Sequence, residues 1–439
     1  MSFFLAGNAL ADATSEFETL LDEHWEWTLQ NSPVMASTMG DRRYNQEWGD
    51  YSLAGIKQDH REARNFLRRA YAIDRNALSD DDKLNHELFR RQLQDEVDAH
   101  KFRAYLLPFD HQGGIQTLDG LTNRLRLTTV QDFDDWLARL SKVDDIVDQT
   151  IELAEAGRKA GLVSPAILMQ RIPQQISVQL VDFAADSPFF APFASLPESF
   201  SAADRERLRA AATDVIDDTV LPAYRKLDKY FSKKYLPAAR ESIGLSSLTN
   251  GSAWYEERAR SYTTTRLTPD EIHRIGLDEV KRIREEMQEI IAEVEFEGSF
   301  AEFLTYLRTD PQFYFDNPDD LYQEYLATSK RIDPELVKLF GKLPRMPYGV
   351  EPIPDSIAPD TTTAYYSRPA ADGSRAGIYW VNLYMPEVRP KYEIEVLSVH
   401  EAMPGHHLQL ALQQELGDMP MFRRFMGFTA FVEGWGLYS

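Results

Sequence analysis

Three of the nine histidines fall between His400 and His407, beside the carboxylate of Glu401, in the stretch S-V-H-E-A-M-P-G-H-H-L-Q that runs from Ser398 to Gln409. A hydrolytic zinc site needs two neutral imidazoles and a carboxylate as ligands, an open position for water, and a second carboxylate to take the water's proton. His400 followed by His406 or His407 offers the imidazoles, and Glu401 offers the general base.

The spacing departs from the common H-E-x-x-H, in which an i, i+4 pair shares one helix face. At ~100° per residue, the step from His400 to His406 turns through roughly 600°, so an unbroken helix would hold the two rings apart. The helix is therefore predicted to break. Pro404 sits where the break is needed, because it has no N–H for the carbonyl of His400 and its ring clashes with that carbonyl. Gly405 then tolerates backbone that other residues resist. His407 returns to the face of His400 but stands ~10 Å further along an ideal helix, an awkward bite for one tetrahedral ion. His406 is accordingly the preferred ligand. His407 is read as the catalytic auxiliary, donating to a substrate oxyanion or orienting a ligand from behind.

A third ligand is offered by F-V-E-G-W-G, residues 431–436, where Glu433 stands in an apolar, aromatic run. A carboxylate buried there unpaired is costly, and a metal would supply its counter-charge. Arg423 and Arg424 are the competing partners.

Several elements must position these residues. Apolar residues at helical spacing mark Phe17 to Asn31, Asp59 to Ala72, Asp80 to His100, Val130 to Gly157 and Ala202 to Tyr235. Between them, Pro188 to Pro197 reads as a loop packed by Phe189, Phe190 and Phe193. Thr268, Pro269, Asp270 and Glu271 form a capping box ahead of an apolar stripe from Ile272 through Ile283 to Val294. Asn317-Pro318 and Asp333-Pro334 are predicted to open two further helices in the same way. β-like runs at Thr362 to Ser367 and Gly377 to Tyr384 predict a small hairpin sheet. The second run is expected at the sheet edge, facing the metal. There Tyr379 and Asn382 would bind an extended substrate added as a further strand. Leu408 to Leu416 reads as a helix stopped by Gly417, and the helix of Glu433 is expected to begin near Phe428.

Composition bounds the rest. At 439 residues, the chain is about three times the ~150 of one domain. A hydrophobic share of 43% rules out a disordered chain, and a net charge of −22 disfavours nucleic acid and anionic lipid as partners. The absence of cysteine excludes disulfides, thiolate metal sites and Cys nucleophiles. No apolar run is long enough to span a membrane. The first eleven residues suggest an ordinary N-terminus or the stub of a signal peptide. The compartment is left open, with the cytoplasm weighted above the periplasm, and oligomeric state is unknown.

The motif H-E-A-M-P-G-H-H-L-Q followed by F-V-E-G-W resembles that of the bacterial domain-of-unknown-function family 885. The likeness extends to the region of Asn31, Ser32 and Pro33, to the stretch from Tyr235 to Arg240 with Gly244, to Tyr262 through Thr265, and to Glu271, His273, Gly276 and Glu279, and so covers nearly the whole chain. That family looks like a distant relative of the helical zinc oligopeptidases, whose H-E-F-G-H motif is here lengthened by two residues between Glu401 and Gly405. Glu433 lies 27 residues after His406, in keeping with that layout. The resemblance implies a mainly α, elongated peptidase-like fold with a deep channel and a small β-sheet beside the metal-binding helix. Residues 1–260 would form an N-terminal helical region and 261–439 the metal-binding region, packed as one unit.

The function expected is zinc-dependent hydrolysis of amide bonds, most simply in peptides, with His400, His406 and Glu433 as zinc ligands and Glu401 as base. The alternatives are a non-catalytic helical binding protein with a structural ion or a degenerate site, and a metal-dependent hydrolase of small non-peptide amides or esters. Relatives carry a transition-state Tyr or His well after the Glu ligand, whereas this sequence ends six residues beyond Glu433. A fragment is therefore expected, poorly active and prone to aggregate through the aromatics around Glu433.

Overall fold

Serine and threonine caps begin most of the long helices, because a side-chain oxygen there accepts from a backbone N–H that the helix leaves unpaired. The computed structural model describes residues 2–355 and 357–439, with side chains from residue 13 onward. The leader-like composition read at residues 1–11 lies outside the residues whose side chains are described. The chain divides into two units. The first holds Met1–Asn250, Ala370–Arg375 and Leu416–Met426, and the second holds Gly251–Pro369, Ala376–Glu415 and Gly427–Ser439.

The first unit is helical: α1 (Ser2–Asn31), α2 (Leu53–Ala72), α3 (Asp80–Ala99), α4 (Val130–Leu140), α5 (Val143–Lys159), α6 (Ala202–Val215) and α7 (Leu221–Tyr230). Ser52, Ser79 and Ser201 cap α2, α3 and α6, and Thr129 forms a capping box with Asp132 at α4. The single helix read over Val130 to Gly157 is two, parted at Ser141 and Lys142. From Ala202 to Tyr235 the helix is continuous but widens into π-turns at Ile216–Val220 and Phe231–Tyr235. Pro222 and Pro237 follow these turns and lack the N–H that regular α-geometry would use. The stretch around Phe189 is short helical turns rather than a loop. Phe189 meets Tyr224 and Phe193 meets Phe133, so these rings join the unit's main core instead of packing only on one another.

The second unit opens with α8 (Gly251–Thr263) and α9 (Pro269–Glu293), the latter starting at the predicted capping box of Thr268 and Glu271. Its apolar stripe is largely solvent-facing: Ile275, Val280, Ile283, Ile290 and Val294 are exposed, and Ile291 is buried. The helix needs no burial to form, because its cap and the Arg282 pairs with Glu279 and Glu286 support it locally. α10 (Phe300–Thr309) and α11 (Pro318–Ile332) follow, α11 capped by Asn317. Asp333 does not cap a fresh helix. It continues α11 through a 3₁₀ turn into Leu336–Leu339, and its carboxylate goes to Lys330 and Tyr348.

Three strands, β1 (Tyr348–Pro352), β2 (Ala364–Ser367) and β3 (Gly377–Val381), form a sheet in the order β1-β3-β2. β3 pairs parallel with β1 and antiparallel with β2. This corrects the expectation that Gly377 to Tyr384 is an edge: β3 is the middle strand, and both sides of its backbone are taken. β1 escaped notice because Gly349 and Pro352 are poor strand formers and its partner lies far along the chain. Val350, Ala364, Tyr379 and Val381 turn to one face, against Leu321 and Tyr325 of α11 and Ile394. Trp380 and Ile378 turn to the other, with Ile353 and Ala358.

The unit closes with α12 (Ile394–Glu401), α13 (His406–Glu415) and α14 (Thr429–Tyr438). The protein is thus mainly helical, with one small sheet beside the helix pair α12–α13. Among the described residues, no helix is long and apolar enough to cross a membrane.

Candidate metal centre

The break predicted between His400 and His406 is present. α12 ends at Glu401, Ala402 leaves helical geometry at φ −99° and ψ −103°, and α13 restarts at His406 after a cis Met403-Pro404 bond. The turn is held by the Gly405 N–H donating to the Val399 carbonyl at 2.8 Å and the His407 N–H donating to that of Ala402 at 3.0 Å. Gly405 is needed for a different reason from the one anticipated. Its φ is not left-handed; rather, a Cβ there would overlap the carbonyl oxygens of His400 and Val399.

The reversal brings the two imidazoles together, with ring centroids 4.7 Å apart at 82°. α14 supplies Glu433, whose Oε2 lies 3.5 Å from His400 Nε2 and 3.7 Å from His406 Nε2. One donor atom from each of the three residues falls within 4.8 Å of the others. A tetrahedral zinc with bonds of roughly 2.0–2.1 Å places its ligand atoms roughly 3.3–3.4 Å apart. The two imidazole–carboxylate separations exceed that by a few tenths of an ångström and the whole set lies within 4.8 Å, so the residues are of the right kind for the ion, which would draw them closer.

Burial and the neighbouring His400 lower the pKa of His406, which favours the neutral ring a metal requires. Glu401 is buried, and its carboxylate stands 3.9 Å from His406 Nε2, outside the three-donor set. Burial, with the Glu433 carboxylate adding to it, raises its pKa to about 7.

Glu433 itself is not buried. Its side chain is 56% exposed, so desolvation does not require a counter-charge, and the case for it as a ligand rests on position. The competing arginines are engaged elsewhere: Arg423 donates to Asn85, and Arg424 to the carbonyls of Gly417 and Met419.

His407 is brought close but does not join the donor set. Its Nε2 donates to the Met346 carbonyl at 3.0 Å, which leaves Nδ1 to accept the Tyr366 hydroxyl at 2.8 Å. Burial holds its pKa near 4, so the ring is neutral and no N–H remains for a substrate oxyanion. The catalytic role expected of His407 is thus corrected to orientation of Tyr366. Tyr379 and Asn382 also depart from expectation, since both are fully buried. Tyr379 packs edge-on to Tyr325, and Asn382 donates to the carbonyls of Ala358 and Thr362 while accepting from the Tyr384 N–H. Both side chains are thus enclosed by protein rather than presented on an open strand edge.

Sequence reading missed three supports. A Cβ on Gly436 would stand 2.8 to 3.0 Å from three atoms of the His400 ring, so this glycine lets α14 close over the imidazole. Its signal was the G-W-G spacing after Glu433. Trp435 Nε1 donates to the Pro404 carbonyl at 2.8 Å and ties α14 to the turn. Tyr366, 41 residues before His407, carried no local signal at all.

Over residues 33–439 the chain matches the family described as a bacterial protein of unknown function, DUF885, and it belongs to that family. Among known structures it is similar to the crystal structure of a candidate lipoprotein from Colwellia psychrerythraea, at 24% identity and a TM-score of 0.85, over 97% of this chain and 77% of that one. That likeness shows a shared fold. The curated proteins contain no match.

Proposed function

We propose that the protein is a metal-dependent hydrolase of amide bonds in peptides, with zinc on His400, His406 and Glu433 and Glu401 as general base. The supporting observation is the convergence, among the described residues, of two imidazoles and one carboxylate within 4.8 Å, with a second carboxylate just outside. Structural zinc sites are closed by four protein ligands, whereas three leave a position for water or substrate. The order of motif residues also favours kinship with the helical zinc oligopeptidases.

A bound zinc would acidify its water and polarise the scissile carbonyl. Glu401, buried and just outside the donor set, is placed to take the water's proton and pass it to the leaving nitrogen. Gly436 and the turn at Pro404 hold His400 and His406 in place, so the donors are organised before substrate arrives.

The test is a digest of a peptide mixture read by mass spectrometry, with and without chelator and with zinc restored. Cleavage that chelator abolishes and zinc restores supports the reading. Cleavage indifferent to chelator, or none from protein carrying one zinc per chain, refutes it.

A further inference from the structure

The first unit contains a cavity of about 400 Å³, counted with its mouth, between α4, the 3₁₀ turn at Arg42–Tyr44 and the segment 125–127 that leads into α4. Three arginines line it: Arg42, Arg126 and Arg139. Arg139 is fully buried on α4. Its Nη2 donates to the Ser37 hydroxyl at 2.7 Å and to the Tyr44 carbonyl at 2.8 Å, and its guanidinium carbon lies 5.3 Å from the ring centroid of Trp48. Its Nε–H has no hydrogen-bond partner among the described residues, and neither has the indole N–H of Trp136, which is also buried and lines the same cavity. Three residues apart on α4, the two side chains share a helix face. A buried donor left unmet is costly, and here two occur together.

We propose that this cavity is a binding site for a small oxyanion, a carboxylate or phosphate group, held by the three arginines and the indole N–H of Trp136. The carboxylates of the lining do not meet the spare donors, because they are engaged elsewhere. Asp132 accepts from Arg42 and from the backbone N–H groups of Thr128 and Thr129, Asp135 accepts from the amides of Gln46 and Gln131, and Asp372 accepts from the backbone and hydroxyl of Ser374. Arg42 and Arg126 are exposed and stand at the mouth. Arg42 gives one guanidinium nitrogen to Asp132, and Arg126 gives its Nε to the Thr128 hydroxyl at 3.2 Å, so each retains further N–H groups for a ligand. Water would bring two donors of its own to a lining already rich in donors. An ionised carboxylate or phosphate oxygen only accepts, and the guanidinium fork matches either. The site belongs wholly to the first unit, shares no residue with the candidate metal centre, and does not depend on the hydrolase reading.

Sodium phosphate and sodium acetate are each titrated by calorimetry into the full chain at constant ionic strength, with sodium chloride as baseline. 1,10-Phenanthroline is present throughout, so that no zinc holds the anion. At least one of the two should bind once per chain with a Kd of about 1 mM or tighter. Arg126→Gln, an exposed substitution that leaves the buried lining intact, should weaken binding at least tenfold. Trp136→Phe keeps the ring and removes the donor, and should weaken it severalfold. Arg43→Gln, outside the cavity, should change nothing. Binding of phosphate alone or of acetate alone supports the proposal and identifies the group. Binding of neither overturns it. Binding that Arg126→Gln or Trp136→Phe leaves unchanged is that of an adventitious ion only, and overturns it as well.

Discussion

Glu433 Oε2 lies 3.5 Å from His400 Nε2, although Glu433 is reached from a separate helix and remains half open to solvent. A half-exposed carboxylate gains little from a single exposed side-chain contact, so this approach supports the proposal of a cation shared by the two. One zinc per chain is expected by elemental analysis. At free zinc a thousandfold over Kd, the ion should add about 4 kcal/mol of stability. His400→Ala, His406→Ala and Glu433→Ala should each lose this gain, whereas Glu401→Gln should retain zinc and lose turnover. Equal zinc loss in Glu401→Gln would make that residue a ligand.

Two glycines of α14 provide a paired test of how His400 is held. Gly436→Ala places a methyl 2.8 to 3.0 Å from three ring atoms of His400, so the ring must shift. Zinc affinity should fall at least tenfold. At Gly434 a Cβ meets nothing within 4 Å, so Gly434→Ala should leave affinity unchanged and add about 0.5–1 kcal/mol of stability through helix propensity. Equal effects of the two substitutions on zinc affinity would show that Gly436 is ordinary helix surface.

How much could be read in advance depended on how local each feature was. The break at Pro404 and the preference for His406 follow from proline's missing N–H and from helix geometry, both contained in a few residues. The capping box at Thr268 and Glu271 was legible for the same reason. The place of β3 was not, because it depends on β1 pairing with it from a distant part of the chain through Tyr348 and Pro352. The stripe on α9 was correctly periodic, but periodicity does not say whether a partner covers it. Glu433 was found through an argument about burial that its exposure contradicts, while its position in the sequence pointed to the right place. Tyr366, His407 and Gly377 meet only after folding: a Cβ on Gly377 would run into both rings' polar atoms.

That meeting separates the two adjacent histidines. His407→Ala removes bonds to Tyr366 and Met346 from a buried position, which should cost about 2–3 kcal/mol of stability. Zinc stoichiometry should be unchanged. Loss of zinc with stability intact, read from metal content beside a denaturant melt, would instead make His407 the ligand.

The buried base should show itself in the metal-free protein. Glu401 has a pKa raised to about 7 from an ordinary 4.5. Between these two values the folded state keeps a proton that the unfolded chain has released. Stability should therefore fall as pH rises through that window and level off above pH ~7, by at most about 3 kcal/mol at about 1.4 kcal/mol per unit. Glu401→Gln cannot ionise, so the metal-free variant should match wild type near pH 4.5 and exceed it at pH 8. Denaturant melts at the two pH values, in the presence of chelator, measure the difference. A variant no more stable than wild type at pH 8 would mean that the Glu401 carboxylate is well solvated and that burial does not raise its pKa.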